Sequence, residues 1–171
     1  MSNLPRTVRW WQRPATPLVS SRAGAWFYVH IAPPIDRLLV RLSRGRVSLA
    51  VGYPTLLLTT IGAKTGQVRS TPLLFLTHED RLVLIASNGG SPRHPGWYYN
   101  LRAQPVARVF AHGRTATYLA RDATGAERDD LWRKAVALFP TYRNYQQRAV
   151  ARHIPVVVLT PLVSAHQSPP P

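Results

Sequence analysis

The stretch TLLLTTIGAKTGQVRSTPLLFLTHEDRLVLIAS, residues 55–87, contains three apolar runs separated by two turn sequences. The runs are rich in Leu, Ile, Val, Thr and Phe, which favour β-strands, and they cover 55–62, 70–77 and 81–87. Each run is apolar on both faces, as expected where a sheet curls into a barrel or is covered on both sides. The stretch therefore predicts successive antiparallel strands, with 68–77 and 81–87 pairing as a hairpin.

The C-terminal half of the chain predicts three more strands. PVARVFA and RTATYLA flank His112-Gly113 and form a second hairpin, and IPVVVLTP at 154–161 is a closing apolar strand. With no internal repeat or linker in this region, we expect a single α+β domain over residues 25–162, mainly of antiparallel β-structure.

Two helical segments are expected before the closing strand. Thr124 to Glu127 match a capping box, with Asp129 and Asp130 placed in the positive first turn of a helix that continues to Pro140. A short Tyr-rich segment, 141–152, follows this helix.

The terminal regions are expected to differ from the domain. Residues 1–24 are rich in Pro and Arg and form a flexible basic segment in this interpretation, and the tail 163–171 is expected to be disordered. Apolar residues at helical spacing opposite arginines in 35–45 predict a basic amphipathic helix, which either packs on its own domain or lies on a membrane surface. Because no secretory signal or membrane span is recognised, we expect a cytoplasmic protein, with association at the inner face of the membrane as an open alternative.

The charge distribution indicates an anionic partner. The 171 residues include 22 Lys plus Arg and only 7 Asp plus Glu, giving a net charge of +15. Residues 37–78 and 81–121 contain no carboxylate, so their summed field favours nucleic acid, anionic lipid or a phosphorylated cofactor. Nucleic acid is the least expected of these, because the arginines are spread over strand ends and loops rather than concentrated on one helix.

Several kinds of chemistry are excluded or poorly supplied. The chain has no cysteine, which excludes disulfides and thiolate catalysis. GAKT lacks the glycine that a phosphate-binding P-loop requires, and no G-x-S-x-G sequence is present. The six histidines show no paired metal-ligand spacing, so no metal is expected.

The sequence ASNGGSPRHPGWYYNL, residues 86–101, follows the third predicted strand. Gly89 and Gly90 permit positive φ and close approach of backbone N–H groups to an anion, and Pro95 can begin a helix. The neighbouring aromatic side chains offer flat surfaces for a ring. If 68–77 and 81–87 pair as a hairpin, Lys64, Arg69 and Arg93 lie near this loop. The pattern then favours a nucleotide-like or flavin-like cofactor site. A turn followed by a core tryptophan would also account for it.

Two spaced motifs, G-x-K-[ST]-G-x-x-R-x-x-P-L and A-S-x-G-G-x-x-x-x-P-x-W-x-x-N-L-x-x-x-P, resemble those of the deazaflavin-dependent nitroreductase family. The matching residues are Gly62, Lys64, Thr65, Gly66, Arg69, Pro72, Leu73, Ala86, Ser87, Gly89, Gly90, Pro95, Trp97, Asn100, Leu101 and Pro105. The resemblance covers about residues 35–162 and implies a split β-barrel related to FMN-binding oxidases. It also implies that the reduced 8-hydroxy-5-deazaflavin coenzyme, F-420, donates hydride to an electron-poor acceptor: a quinone, an enone or a nitroaromatic.

The resemblance assigns roles to residues of this chain. Lys64 and Arg69 would hold the phosphate and the carboxylates of the oligoglutamate tail. The other cofactor contacts that it implies are Thr65, Ser70, Thr71, Pro72, Leu73, Leu74, Ile85, Ala86, Ser87, Asn88, Gly96, Trp97, Tyr98, Tyr99, Asn100 and Tyr142. Tyr142, Tyr145 and Ser87 are the implied catalytic residues, because a phenol near the ring can orient an acceptor or donate a proton. Ordinary packing of an amphipathic helix is the alternative interpretation of the two tyrosines, and substrate contact is favoured more for Tyr142 than for Tyr145.

One residue departs from the family pattern. Many relatives carry a basic residue where this chain has Asn88, so the tail is held less tightly or is bound by Arg93 instead. This departure leaves FMN open as a less favoured cofactor. A carrier that binds the deazaflavin without catalysis is the alternative to a reductase, and the natural acceptor does not follow from the sequence.

Overall fold

A computed structural model describes residues 53–162 of the chain. The predicted flexible segment 1–24, the amphipathic helix near 35–45 and the tail 163–171 lie outside the described residues. In chain order the elements are β1 (Thr55–Ile61), β2 (Val68–His78), β3 (Arg81–Ile85), a 3-10 turn (Asn88–Gly90), α1 (Gly96–Ala103), β4 (Val106–Ala111), β5 (Arg114–Asp122), α2 (Gly125–Leu138), α3 (Thr141–Arg148) and β6 (Val156–Pro161).

The six strands close into one antiparallel barrel in the order β1-β2-β3-β6-β5-β4. The predicted hairpins are confirmed: His78 pairs with Arg81 in one, and Ala111 pairs with Arg114 in the other. Pairing of β1 with β4, for example Leu58 with Val109, removes the last free edge within this barrel. The expected α+β class and its split β-barrel are therefore confirmed.

Alternating side chains of the strands divide the core into two layers, because successive residues of a strand point to opposite faces. One set fills the barrel interior and includes Leu56, Leu58, Phe75, Leu82, Leu84, Ala107, Val109, Val157 and Leu159. The other set faces α2 and α3 and includes Val83, Ile85, Val156 and Val158, together with Leu131, Ala135 and Phe139 of the helical layer. The apolar character of both faces, seen in the sequence, follows from this arrangement.

The start of α2 differs from the sequence-based expectation. Thr124 is the N-cap residue, but its side chain makes no capping hydrogen bond. Glu127 instead accepts two bonds of 2.7 Å from the guanidinium of Arg121 on β5. The predicted capping box was therefore wrong, because a bidentate bond to a cation is stronger than a bond to a neutral backbone N–H. Asp129 and Asp130 lie beyond the first turn, whose only acidic residue is Glu127.

The turn Asn88–Gly90 packs directly on α3, and Gly90 makes this contact possible. A Cβ atom on Gly90 would lie 2.8 Å from Cβ of Arg148 and 2.9 Å from the carbonyl oxygen of Tyr145. Gly90 also has φ +82°, a conformation that costs other residues about 1–2 kcal/mol. Two separate constraints therefore require glycine at this position.

We expect Gly90→Ala to lower the free energy of unfolding by about 2–4 kcal/mol, since it adds overpacking against backbone to the strain of positive φ. The matched control is Gly96→Ala, because no heavy atom lies within 4 Å of a Cβ placed there. That change should be neutral or stabilising by up to about 1 kcal/mol. Denaturant unfolding followed by tryptophan fluorescence measures both, and equal stability of the two variants would contradict the packing role of Gly90.

Candidate active site

Asn100 on α1 connects the two sequence motifs. Its Oδ1 accepts a hydrogen bond from the backbone N–H of Ala63 at 3.0 Å, and its Nδ2 donates to Oγ1 of Thr60 at 3.0 Å. One side chain thus bonds both to the end of β1 and to the turn between β1 and β2. The turn that contains Lys64 is consequently held against the helix that follows the Gly-rich loop.

The turn between β1 and β2 is closed by its own backbone. The carbonyl oxygen of Gly62 accepts from the N–H of Gly66 at 2.8 Å and from that of Thr65 at 3.2 Å, and the Gly62 N–H donates to the carbonyl oxygen of Gln67 at 2.8 Å. Lys64 and Thr65 are exposed at its tip. This geometry presents the ammonium group to solvent from a fixed backbone.

The first residues of β2 continue this exposed basic surface. Arg69 is exposed and donates from Nη2 to Oε1 of Gln67 at 2.9 Å. The hydroxyl groups of Ser70 and Thr59 lie 2.9 Å apart across the β1–β2 pair. The predicted contacts of β2 do not share one face, since Leu73 packs with the barrel interior and Leu74 with the helical layer.

A small apolar cavity brings together three of the predicted site residues, Leu74, Ile85 and Tyr142. It lies between the outer surface of β2 and β3 and the helical layer, where Phe139 also lines it. By contrast, Ala86, Trp97 and Tyr98 pack in the barrel interior.

The three neighbouring aromatic residues of the Gly-rich motif do not form one exposed wall. Trp97 and Tyr98 are 6% and 7% exposed and help to fill the barrel, whereas Tyr99 is 48% exposed. The hydroxyl group of Tyr98 donates to Asp122 at 2.8 Å, which satisfies a polar group that would otherwise be buried without a partner. The tryptophan therefore has the core position that the sequence left open as the alternative.

Tyr142 and Tyr145, the predicted catalytic tyrosines, are buried side by side on α3, with ring centroids 6.3 Å apart. Burial raises the pKa of Tyr145 to about 12. Its phenol is therefore protonated at neutral pH and is chemically a hydrogen-bond donor rather than a base. The turn that follows Ser87 packs on the same helix through Gly90, so the loop with Ser87 and the helix with Tyr145 are in direct contact.

Arg152, which belongs to neither sequence motif, lies under the loop that follows β3. Its guanidinium donates to backbone carbonyl groups and to His94, at distances between 2.8 and 3.3 Å. The pairing of β3 with β6 explains its location: Ile85 is opposite Val156, so the residues before β6 lie beside the residues after β3. The sequence alone does not show that β3 pairs with β6, and without that pairing Arg152 cannot be placed beside the loop.

A polar chain continues from Arg152 across the end of the barrel. His94 packs on the ring of Tyr98 at 4.8 Å between centroids, and Asp122 accepts from Tyr98 and from Arg102. Burial, with a smaller contribution from Arg152, lowers the pKa of His94, so its neutral form accepts the bond from Arg152. This chain fixes the loop to α1 and β5.

The charges of the described chain leave a basic edge near Lys64 and Arg69. Asp122, Glu127 and Asp130 are each bonded to basic side chains elsewhere. Glu79 and Asp80 form the turn of the β2–β3 hairpin, at the opposite end of β2 from Arg69. An acidic cofactor requires a positively charged surface, and this edge provides one. The side chains of Lys64 and Arg69 have the charge that a phosphate and a carboxylate tail would pair with.

Residues 37–161 match the family model described as F420H(2)-dependent quinone reductase. An F420H(2)-dependent quinone reductase of Mycobacterium tuberculosis strain H37Rv is 36% identical over 143 residues, which cover 79% of this chain and 95% of that protein. A homologue of the same name from strain CDC 1551 gives the same values.

Two solved structures are similar to this chain in both sequence and fold. An F420-H2 dependent reductase, FDR-A, has 37% sequence identity and a TM-score of 0.57, covering 62% of this chain and 93% of its own. A protein solved as a domain-swapped dimer has 32% identity and a TM-score of 0.59, covering 73% and 96%. The family model, the mycobacterial relatives and FDR-A confirm the deazaflavin-dependent family that the two motifs indicated. The chain therefore belongs to the F420H(2)-dependent quinone reductase family.

Proposed function

We propose that this protein is a reductase that transfers hydride from reduced F-420 to a quinone, and that the cofactor lies along the edge formed by the β1–β2 turn and the Gly-rich loop. The family supports the reaction, since its members are named for F-420 and for quinones. The single observation that supports the location is the pair of hydrogen bonds from Asn100, which unite the two motifs at one end of the barrel.

Lys64 and Arg69 are the residues we propose to bind the phosphate and the tail carboxylates. Both side chains are exposed, and the acidic residues of the described region lie elsewhere or are already paired. A guanidinium offers bidentate bonds to such groups, and an ammonium offers a mobile point charge. Arg93, also exposed, is positioned on the loop to supply the charge that Asn88 lacks.

Reduced F-420 supplies two electrons and one hydrogen as hydride, and a quinone needs one further proton to become a quinol. Tyr142, Tyr145 and Ser87 are the proposed residues on the acceptor side. The phenol of Tyr145 is protonated at neutral pH, so it is chemically a hydrogen-bond donor of the kind that orients a carbonyl oxygen of the acceptor. The apolar side chains of Leu74, Ile85 and Tyr142, which line one small cavity, are proposed to keep water from this side.

Peripheral contact with the inner face of the membrane is a further part of this proposal, since many quinones partition into lipid. Within residues 53–162, no helix has the length and apolar character needed to span a bilayer. The segments proposed to touch lipid are 1–24 and 35–45, both outside the described residues, the second of which the sequence predicts to be an amphipathic helix. Co-sedimentation of the full chain with anionic and with neutral vesicles tests the proposal, and equal absence from both pellets would contradict it.

Lys64→Ala and Arg69→Ala should each weaken binding of oxidised F-420 by roughly tenfold to a hundredfold, because each removes a charge-assisted bond. The matched controls are Lys134→Ala and Arg133→Ala on α2, whose side chains pair with Asp130. Titration followed by tryptophan fluorescence, with FMN measured in parallel, gives the affinities.

Unchanged affinity in both edge variants would contradict the assigned edge. Tighter binding of FMN than of F-420 would contradict the cofactor. A wild-type protein that binds F-420 but does not reduce menadione would support the carrier instead of the reductase.

Tyr142→Phe and Tyr145→Phe should lower kcat for menadione by about tenfold or more while the dissociation constant of F-420 stays within about twofold of wild type. Tyr118→Phe in the barrel is the control for the same chemical change. Because the pKa of Tyr145 is about 12, its phenol should cause no loss of rate between pH 7 and pH 10. Wild-type kcat in both variants would refute a role of these phenols in the reaction.

A further inference from the structure

The guanidinium of Arg152 is surrounded by the loop 86–94. Nε donates to one backbone carbonyl oxygen, Nη1 donates to a second and to Nδ1 of His94, and Nη2 donates to two more. The carbonyl acceptors are Ser91 at 3.0 Å, Ala86 at 3.3 Å, Ser87 at 2.8 Å and Arg93 at 3.3 Å. The bond to His94 is 3.2 Å. A guanidinium has five N–H donors, and here each has an acceptor.

None of these acceptors is anionic. Among the ion pairs described for residues 53–162, none includes Arg152. Burial lowers the pKa of Arg152, yet an arginine in a protein retains its proton. Within residues 53–162, the hydrogen bonds of this cation therefore go to neutral dipoles, so its field acts on whatever binds nearby.

Arg152 also helps to fix the orientation of a peptide group next to the predicted site. The carbonyl oxygen of Ser87 accepts from Nη2 at 2.8 Å and from the backbone N–H of Gly90 at 3.0 Å, and the C=O and N–H of a trans peptide point in opposite directions. The N–H of Asn88 consequently points away from Arg152. Asn88 has φ +49°, and its Nδ2 donates to the carbonyl oxygen of Arg93 at 3.0 Å, so the side chain and the cation hold the same loop conformation.

We propose that Arg152 is a positioning residue for the cofactor site: it orients the Ser87–Asn88 peptide and places a positive charge under the loop that borders the acidic cofactor. This inference rests on the proposed function, since it assumes that F-420 lies against that loop. Arg152 acts through the loop backbone, so the planar arrangement of its five N–H donors and its positive charge both contribute to holding the loop. A lysine retains the charge but not the planar fork.

The test compares Arg152→Met, Arg152→Lys and Arg152→Ala with wild type in the full-length protein. Arg133→Met is the control, because it removes the same charge from an exposed site on α2. Each protein is titrated with oxidised F-420, and hydrogen–deuterium exchange is followed in the peptide 86–94 and in the barrel strands. Arg152→Ala is also measured with guanidinium chloride and with sodium chloride at the same low concentration.

We expect Arg152→Met to weaken F-420 binding by roughly tenfold to a hundredfold, because it leaves the carbonyl acceptors of the loop without their charged donor. Arg152→Lys should lie between Arg152→Met and wild type. Exchange in 86–94 should rise while exchange in the barrel strands stays as in wild type, and guanidinium but not sodium should restore affinity to Arg152→Ala. A residue that served only global stability would change exchange in the barrel as well.

Two results would overturn the inference and leave the proposed function standing. One is wild-type affinity for F-420 in Arg152→Met. The other is a loss of affinity in all three variants that always accompanies faster hydrogen–deuterium exchange in the barrel strands. A wild-type protein that does not bind F-420 would overturn the proposed function and the inference together. The two failures are thus distinguished by the wild-type titration.

Discussion

The antiparallel pairing of β3 with β6 is the constraint on which the candidate site depends. With Ile85 opposite Val156, the chain that leaves β3 and the chain that enters β6 emerge side by side at one end of the barrel. The backbone N–H of Ala86 still donates to the carbonyl oxygen of Pro155 at 3.0 Å, just beyond the paired residues. Arg152 can therefore reach the loop after β3, although 58 or more residues separate it from each of its partners His94, Arg93, Ser87 and Ala86.

Barrel closure and site formation are consequences of the same alternation of side chains. One face of each strand fills the interior, where α1 contributes Trp97, Tyr98 and Leu101, and the other face receives α2 and α3. Because α1 closes one end of the interior, its Asn100 is available to bond with the β1–β2 turn. The candidate site thus lies at the ends of the strands, on the turns that follow them. Binding residues are commonly found on loops held by a rigid scaffold.

The strands, hairpins and deazaflavin motifs were accessible from the sequence because they are local signals. Apolar runs with intervening turns indicate strands, and the spacing of Lys64 and Arg69 belongs to one turn and the start of one strand. The capping role predicted for Glu127 was wrong because its carboxylate bonds instead to Arg121 on β5, a contact that depends on how α2 packs against the strand. The burial of Trp97 and Tyr98 and the location of Arg152 likewise depend on which elements meet across the barrel, which no local pattern encodes.

The contact between Gly90 and α3 has a consequence for how two ligands would influence each other. Gly90 leaves room for the turn to lie directly against the backbone of Tyr145 and the Cβ of Arg148, so α3 could not move toward the turn without displacing it. A molecule that shifted α3 in that direction would therefore change the shape of the loop. Thermodynamic reciprocity would then require that a ligand on the helix and a ligand on the loop alter each other's affinity by an equal factor.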